Sequence, residues 1–385
     1  MKVLFLITVT GHGRGGHFHS LNHIASALGS EIEVGIVSVG PGTSEVLKTN
    51  PFFITSIYSN GINLFQTRMQ LKQALTAFSP EIIHCFDDSV YNLIKTLHLS
   101  TKRPIVLNKC GGPNPKSYPL VENLILFSTE NLGWFKRQKK FSRTPIYLIP
   151  NRVRAIKPQP ISLVKPKESF CFMRIARIGQ KYRKSLEDSI RLVGQLKEMG
   201  QSVSLFIVGV VQEPEVYSKL QVLSQDKNVT FITDDKFTSE AAKMLVLADA
   251  VIATGRGVME AASLSLPILT PAGNSDIPIL INESNYEAFS SANFSGRGLA
   301  TEQDLRSNIQ DILSIVADRT RYEQSASFSA FLFTNHFDVY SGIPKYLEVY
   351  RNALKSQFKV SAFKDMMPKA KTLYMLYTKS KSPSK

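Results

Sequence analysis

Residues 253–278 read ATGRGVMEAASLSLPILTPAGNSDIP, a glycine turn that runs straight into a helical pattern carrying a single acid, Glu260. The apolar run Ala250–Ala253 just before it reads as a strand. A glycine-rich turn at the carboxyl end of a strand, opening a helix, aims backbone N–H groups and the positive helix end at one point. That suits a phosphate or pyrophosphate. Arg256, Gly257 and Val258 are the candidate phosphate contacts. Glu260, three residues past Gly257, sits far enough into the helix to reach a ribose hydroxyl.

Working outward, the same alternation precedes the turn. Strands are predicted at Phe170–Ile175, Val203–Val208 and Val229–Ile232, with helices at Ser185–Met199, Glu213–Ser224 and Ser239–Leu247. Before these, IPNRVRAIKPQPISLVKPKE holds four prolines (Pro150, Pro158, Pro160, Pro166) that interrupt any regular element, which places a domain linker there.

A second α/β run occupies the first part of the chain. Strands are predicted at Val3–Val9, Ile32–Val39, Ile82–Cys85, Ile105–Leu107, Leu124–Phe127 and Ile146–Ile149. Helices are predicted at Phe18–Leu28, Arg68–Phe78 and Tyr91–Leu97. Strand, helix, strand in repetition means a doubly wound parallel sheet. The expected fold is therefore α/β: two tandem Rossmann-like domains, residues 1–150 and 151–335, with a ligand in the cleft between them.

With 385 residues, 43% of them hydrophobic and 20% charged, the chain can build two cores. MKVLFLITVT is followed at once by Gly11, His12, Gly13 and Arg14 and reads as a buried strand instead of a signal peptide. No stretch approaches the about 20 apolar residues that span a bilayer. A cytoplasmic location is expected.

Cys85, Cys110 and Cys171 are odd in number and lack C-x-x-C spacing, which argues against disulfides and structural zinc. The net charge of +15 points to an anionic partner: nucleic acid, anionic lipid or a phosphate-bearing substrate. Without a recognisable reading motif, nucleic acid is not expected.

Several motifs in order resemble those of the retaining glycosyltransferases of family 4, of GT-B fold. TGHGRGGHFHSLNHIASAL resembles the family's first glycine loop and helix, PEIIHCFDD its D-I-I-H strand end and YLIPNRV its V-I-P-N-G-V hinge. RIARIGQKYRKSLEDSIRLV resembles the G-R-L-x-x-x-K-G phosphate segment, and ADAVIATGRGVMEAASLSLPIL the last acidic block. The resemblance covers roughly residues 1 to 350 in segment order. The chain departs from the pattern in four places, one of them a longer spacing from Arg177 to Lys184. In the other three, position 252, the place of the first of two acids, is Ile; the hinge glycine is Arg152; and LNKCGG has no counterpart of the family's histidine.

The resemblance implies transfer of a sugar from a nucleoside diphosphate donor to a polysaccharide or lipid-linked saccharide acceptor, with retention and without metal. Arg177 and Lys184 then carry the diphosphate as catalytic cations, with Lys181 or Arg183 as stand-ins for the lysine. Gly15 and Gly16 let the N-terminal backbone approach the donor, and His84 is a candidate sugar or acceptor contact. It also implies a terminal helix over 336–360, around IPKYLEVYRNALKSQ, crossing back to the first domain, with Tyr346, Leu347, Tyr350 and Leu354 on one stripe.

Other readings of these residues are bland. Arg177 and Lys184 are also ordinary solvated charges, Glu260 an ordinary first-turn acid and His84 a hydrogen-bonded core residue. His12, His17, His19 and His23 lack an interleaved carboxylate, and Asp87–Asp88 lack D-x-D spacing, so no metal site is expected. GHGRGG lacks the G-x-G-x-x-G order and no acid ends the second strand, so no nicotinamide cofactor is expected. The tail 361–385, rich in lysine and aromatics, suits an anionic membrane surface on the inner face of the cell membrane, or a disordered segment. The alternatives to a transferase are a nucleotide-sugar 2-epimerase of the same fold and a non-catalytic partner of a glycosylation complex.

Overall fold

The computed structural model describes residues 1–99, 103–166 and 168–381. They divide into two compact units, one of Met1–Arg152 together with the chain from Val339 onward, the other of Val153–Asp338. In the first unit, β1 (Lys2–Thr8) is a continuous apolar run because it lies mid-sheet with both faces covered; Val3 to Ile7 have no exposed surface. It is followed by α1 (Gly16–Leu28), β2 (Glu33–Gly40), α2 (Glu45–Lys48), β3 (Phe53–Tyr58), α3 (Leu64–Phe78) and β4 (Ile82–Cys85). Then come α4 (Asp88–Thr96), β5 (Ile105–Lys109), β6 (Leu124–Leu126), α5 (Thr129–Arg137) and β7 (Ile146–Leu148).

The seven strands lie in the order β3-β2-β1-β4-β5-β6-β7, all parallel. The order reverses between β1 and β4. Asp87 fastens that point: its carboxylate accepts from the Thr8 amide (2.6 Å), the Thr8 hydroxyl (2.8 Å) and the Val90 amide (2.8 Å), capping α4.

The second unit restarts the pattern with β8 (Phe170–Ile175), α6 (Arg183–Glu198), β9 (Val203–Val208), α7 (Pro214–Leu223) and β10 (Val229–Ile232). It continues with α8 (Asp235–Thr238), β11 (Ala250–Ile252), α9 (Arg256–Ser263), β12 (Ile268–Thr270) and β13 (Ile279–Leu280). Helices α10 (Tyr286–Ser291), α11 (Glu302–Ala317) and α12 (Arg319–Leu332) complete it. The sheet order is β10-β9-β8-β11-β12-β13, parallel except for the edge pair β12–β13. The helix expected over Ser239–Leu247 is instead α8 followed by a 3-10 run, Ala241–Leu247. Asp234 caps a turn of its own by accepting from the Lys236 amide, and α8 ends at Thr238 before the 3-10 run starts at Ala241.

Two more helices belong to the first unit. Helix α13 (Ile343–Lys355) buries Ile343, Tyr346, Val349, Tyr350 and Ala353 in the core that holds Phe5, Ile7 and Leu21. Leu354, expected on that stripe, is 44% exposed, because the buried face follows Ile343, Tyr346, Val349, Tyr350 and Ala353. Helix α14 (Met366–Lys381) packs on α4, with Asn92 Nδ2 3.2 Å from Thr372 Oγ1. Gly61, at φ +77°, allows this approach: a Cβ there would lie 2.3 Å from the Leu373 carbonyl oxygen. The disordered alternative for the tail therefore gives way to a docked helix as far as Lys381; residues 382–385 lie outside the described residues.

Candidate functional site

Strands β8 and β11 are neighbours, Arg174 opposite Ile252. Chain order reverses between them, with β9 and β10 beyond one and β12 and β13 beyond the other. At such a switch point the loops leaving the two strands part at the carboxyl edge, and α/β folds bind ligands in the opening. The β8 loop carries Arg177 and a 3-10 turn, Gln180–Tyr182, into α6. The β11 loop is only Ala253–Gly255 before α9 begins.

Gly255 makes that short loop possible. Its φ of +52° with ψ of −121° is a conformation that L side chains rarely adopt. The turn is so tight that the Gly257 and Val258 amides, expected to face a phosphate, donate to the Thr254 and Gly255 carbonyls at 3.2 Å each. One helical turn apart, Arg256 Nη1 and Glu260 Oε1 meet at 3.0 Å. Glu260 is buried, and desolvation raises its carboxyl above the ordinary 4.5 while Arg256 pulls the other way.

On the β8 side the cations gather on Tyr182. Arg177 Nη2 donates to its hydroxyl at 3.1 Å with the guanidinium 5.5 Å from the ring centroid, and Lys181 Nζ lies 5.6 Å from the same ring. Burial pushes the phenol up, but the Arg177 hydrogen bond and charge, then Lys181 and Arg174, leave it below its ordinary value. Lys184, expected beside Arg177, is held elsewhere. Its Nζ donates to the buried Asp188 carboxylate (2.9 Å) and to the Ser275 carbonyl (2.8 Å). Arg183 pairs with Glu187 at 2.6 Å. Of Lys184 and its two stand-ins, Lys181 and Arg183, Lys181 is therefore the one that shares Tyr182 with Arg177.

Arg174 is the residue that sequence reasoning missed. Its guanidinium is inside the unit, donating from Nη1 to the Ile252 carbonyl (3.2 Å) and from Nη2 to Ser185 Oγ (3.1 Å). Among the described residues Nε has no partner, and burial lowers its pKa to about 10. One side chain thus ties the end of β11 to the first turn of α6. The signal was present: an arginine inside FCFMRI, where an unpaired charge is costly.

Position 252 also reads differently in three dimensions. Ile252 ends β11 in the hydrophobic core with no exposed surface, so an acid there would be buried in the sheet rather than presented to a ligand.

In the first unit the glycine loop leaves β1 at the other switch point, beside Asp87. Gly13, at φ +57°, accepts on its carbonyl from Ser44 Oγ (2.6 Å). Gly15 is the N-cap of α1, and a Cβ on Gly16 would meet nothing within 4 Å. His84 does not face this loop's solvent side. It is fully buried, with Nδ1 2.8 Å from the Tyr350 hydroxyl and its ring 4.7 Å from that of Phe5. Burial drops its pKa to about 3, which makes it a neutral core residue, and its Nε2 has no hydrogen-bond partner among the described residues. Among the described residues no three His, Cys, Asp or Glu side chains gather as a metal-holding group.

No family model matches this chain, and no curated protein matches it. Solved structures do. A glycosyltransferase from Rickettsia africae superposes with a TM-score of 0.67 at 14% identity, over 92% of this chain and 99% of its own. Anabaena HepE in complex with UDP and glucose gives 0.61 at 15% identity, over 91% and 100%. UDP-GlcNAc 2-epimerase from Neisseria meningitidis, bound to UDP-GlcNAc, gives 0.54 at 12% identity, over 91% and 100%. The fold of this chain is the two-unit GT-B fold that these proteins share.

Proposed function

We propose that the chain is a glycosyltransferase that moves a sugar from a nucleoside diphosphate donor to a saccharide acceptor, free or lipid-linked, in the building of a polysaccharide. The observation that carries this reading is that neighbouring strands β8 and β11, where the chain order reverses, lead into two loops, one carrying the Arg177–Lys181 cation cluster on Tyr182 and the other the Gly255 turn with its Arg256–Glu260 pair. Breaking a glycosyl phosphate bond places growing negative charge on the departing diphosphate, so the chemical demand is fixed positive charge where that group forms. Arg177 and Lys181 supply it, and the α9 start contributes Arg256. No metal is required by this set.

Glu260 has room in this scheme as the ribose partner, since a buried carboxylate is stabilised by accepting hydroxyl donors. Uridine is the base we assign, in keeping with the UDP ligands of HepE and the meningococcal epimerase. We assign retention of configuration. The C1–phosphate bond breaks as the acceptor oxygen bonds C1 from the same face, and the acceptor proton passes to the departing phosphate. This route needs no separate base.

The test is thermal stabilisation by UDP, GDP and ADP, followed by product analysis with UDP-sugars. Ligand at 100 times its dissociation constant adds roughly 2.7 kcal/mol. The expected result is a UDP-selective shift that Lys181→Ala and Glu260→Ala abolish. No shift with any nucleotide would sink the transferase reading, and conversion of the donor sugar without transfer would replace it with the epimerase.

A further inference from the structure

The positive charge of this protein belongs almost wholly to one unit. Residues 1–100 carry six basic and six acidic side chains, and residues 153–338 carry twenty and twenty-one. Residues 101–152 and 339–385 each carry ten basic side chains against two acids. Two of those four acids are already neutralised. Glu122 is buried against Lys95 at 2.9 Å, and Asp365 is held by Lys140 (2.5 Å) and the Leu120 amide (2.6 Å).

The same contacts join the two segments into one surface. Lys140 reaches Asp365, and the Arg143 guanidinium lies 5.2 Å from the Phe358 ring centroid. Lys136, Arg137, Lys139 and Arg143 are exposed on one segment, Lys359, Lys364 and Lys371 on the other. Apolar side chains stand among them: Phe363 is 80% exposed, Met366 65%, Met367 68% and Tyr374 70%. On α14, Met367, Lys371 and Tyr374 follow helical spacing along one outward stripe, opposite the docked Thr372 and Leu376.

We propose that residues 136–143 and 358–381 form one basic, apolar-tipped surface that docks on an anionic lipid bilayer. A saccharide polyanion such as heparin is held by charge and offers nothing apolar to phenylalanine and methionine. A bilayer takes both, phosphates meeting the lysines and the acyl boundary meeting the apolar tips. No described helix is long and apolar enough to cross a membrane, so the chain lies on the surface through this patch. The surface goes beyond the donor site and does not depend on it.

Co-sedimentation of the full chain with phosphatidylcholine vesicles, with and without phosphatidylglycerol, tests this. Binding is expected only with phosphatidylglycerol present. Each lysine near an anionic surface is worth about a fivefold factor, so K136Q/K139Q lowers the binding constant by roughly tenfold or more. The triple variant F363S/M366S/M367S loses binding by at least about tenfold while keeping its affinity for heparin, a soluble polyanion. Should that variant melt early, Tyr374→Ser alone carries the same expectation in smaller measure.

Equal binding to neutral vesicles, no binding to anionic ones, or unchanged binding by the apolar variant would overturn the proposal, the last in favour of a soluble polyanion. Wild-type binding by K136Q/K139Q would confine the contact to the tail and overturn the composite surface. Nucleotide-induced stabilisation of the same variants reports separately on the donor site.

Discussion

Glu260 and Arg174 place charge where a fold gains least from it. Because the Glu260 carboxyl is raised above its ordinary 4.5, the folded chain holds that proton more tightly than the unfolded chain. Its contribution to stability is full below 4.5 and is lost as pH rises through the raised value. Glu260→Gln should therefore flatten the pH dependence of apo stability above pH 4.5 while removing nucleotide stabilisation; denaturant titrations at several pH values, with and without UDP, read both. A Glu260→Gln protein that keeps the UDP shift would assign the acid to folding alone. For the cations, Lys181→Ala should lower kcat/KM for a UDP-sugar by about a hundredfold or more, the scale of one preorganised charge contact. Lys184→Ala should cost less, since its ammonium is already satisfied by Asp188 and Ser275. The reverse ranking, read from steady-state kinetics, would return Lys184 to the diphosphate.

Elements show why parts of this site were legible and others were not. Gly255 holds a conformation that costs a side chain of order 1–3 kcal/mol, so Gly255→Ala should lower unfolding free energy by about that amount in urea. Most strands were readable from apolar runs, and Ile82–Cys85, Phe170–Ile175, Val203–Val208 and Val229–Ile232 coincide with β4, β8, β9 and β10. Strand β3 was not foreseen: it lies at the sheet edge, and FITSIY, of which only Ile57 is buried, lacks a continuous apolar signal. The partnership of Lys181 with Arg177 was equally hidden, because it is made through the Tyr182 ring in an irregular turn that no periodicity marks. The surroundings of His84 were hidden as well, since its hydrogen-bond partner Tyr350 comes from a helix more than two hundred residues away. Tyr350→Phe leaves its buried Nδ1 without a partner and should cost about 1–3 kcal/mol of stability without changing the UDP shift, as measured by urea unfolding with and without nucleotide.

At the scale of the whole molecule, one unit is continuous in sequence and the other is not. Arg177, Lys181, Lys184, Arg256 and Glu260 all lie within Val153–Asp338. The first unit, by contrast, is completed by residues beyond that stretch: Ile343, Tyr346, Val349, Tyr350 and Ala353 of α13 are part of its core. No local pattern in residues 1–152 announces a missing helix; only the resemblance in segment order implied one. Fully burying a large apolar side chain is worth about 1.5–3 kcal/mol, so loss of α13 removes an amount comparable to the whole stability of an ordinary domain, about 5–15 kcal/mol. A chain ending at Asp338 should therefore lose the cooperative unfolding of its first unit yet keep that of its second, together with a UDP-induced rise in the surviving transition. Calorimetry of the full chain and the shortened one distinguishes the outcomes. If the shortened chain retained both transitions, α13 would be an accessory to the first unit and not a part of its core. If it lost the UDP response while the second unit still melted cooperatively, the cations and Glu260 would be insufficient to hold the donor by themselves.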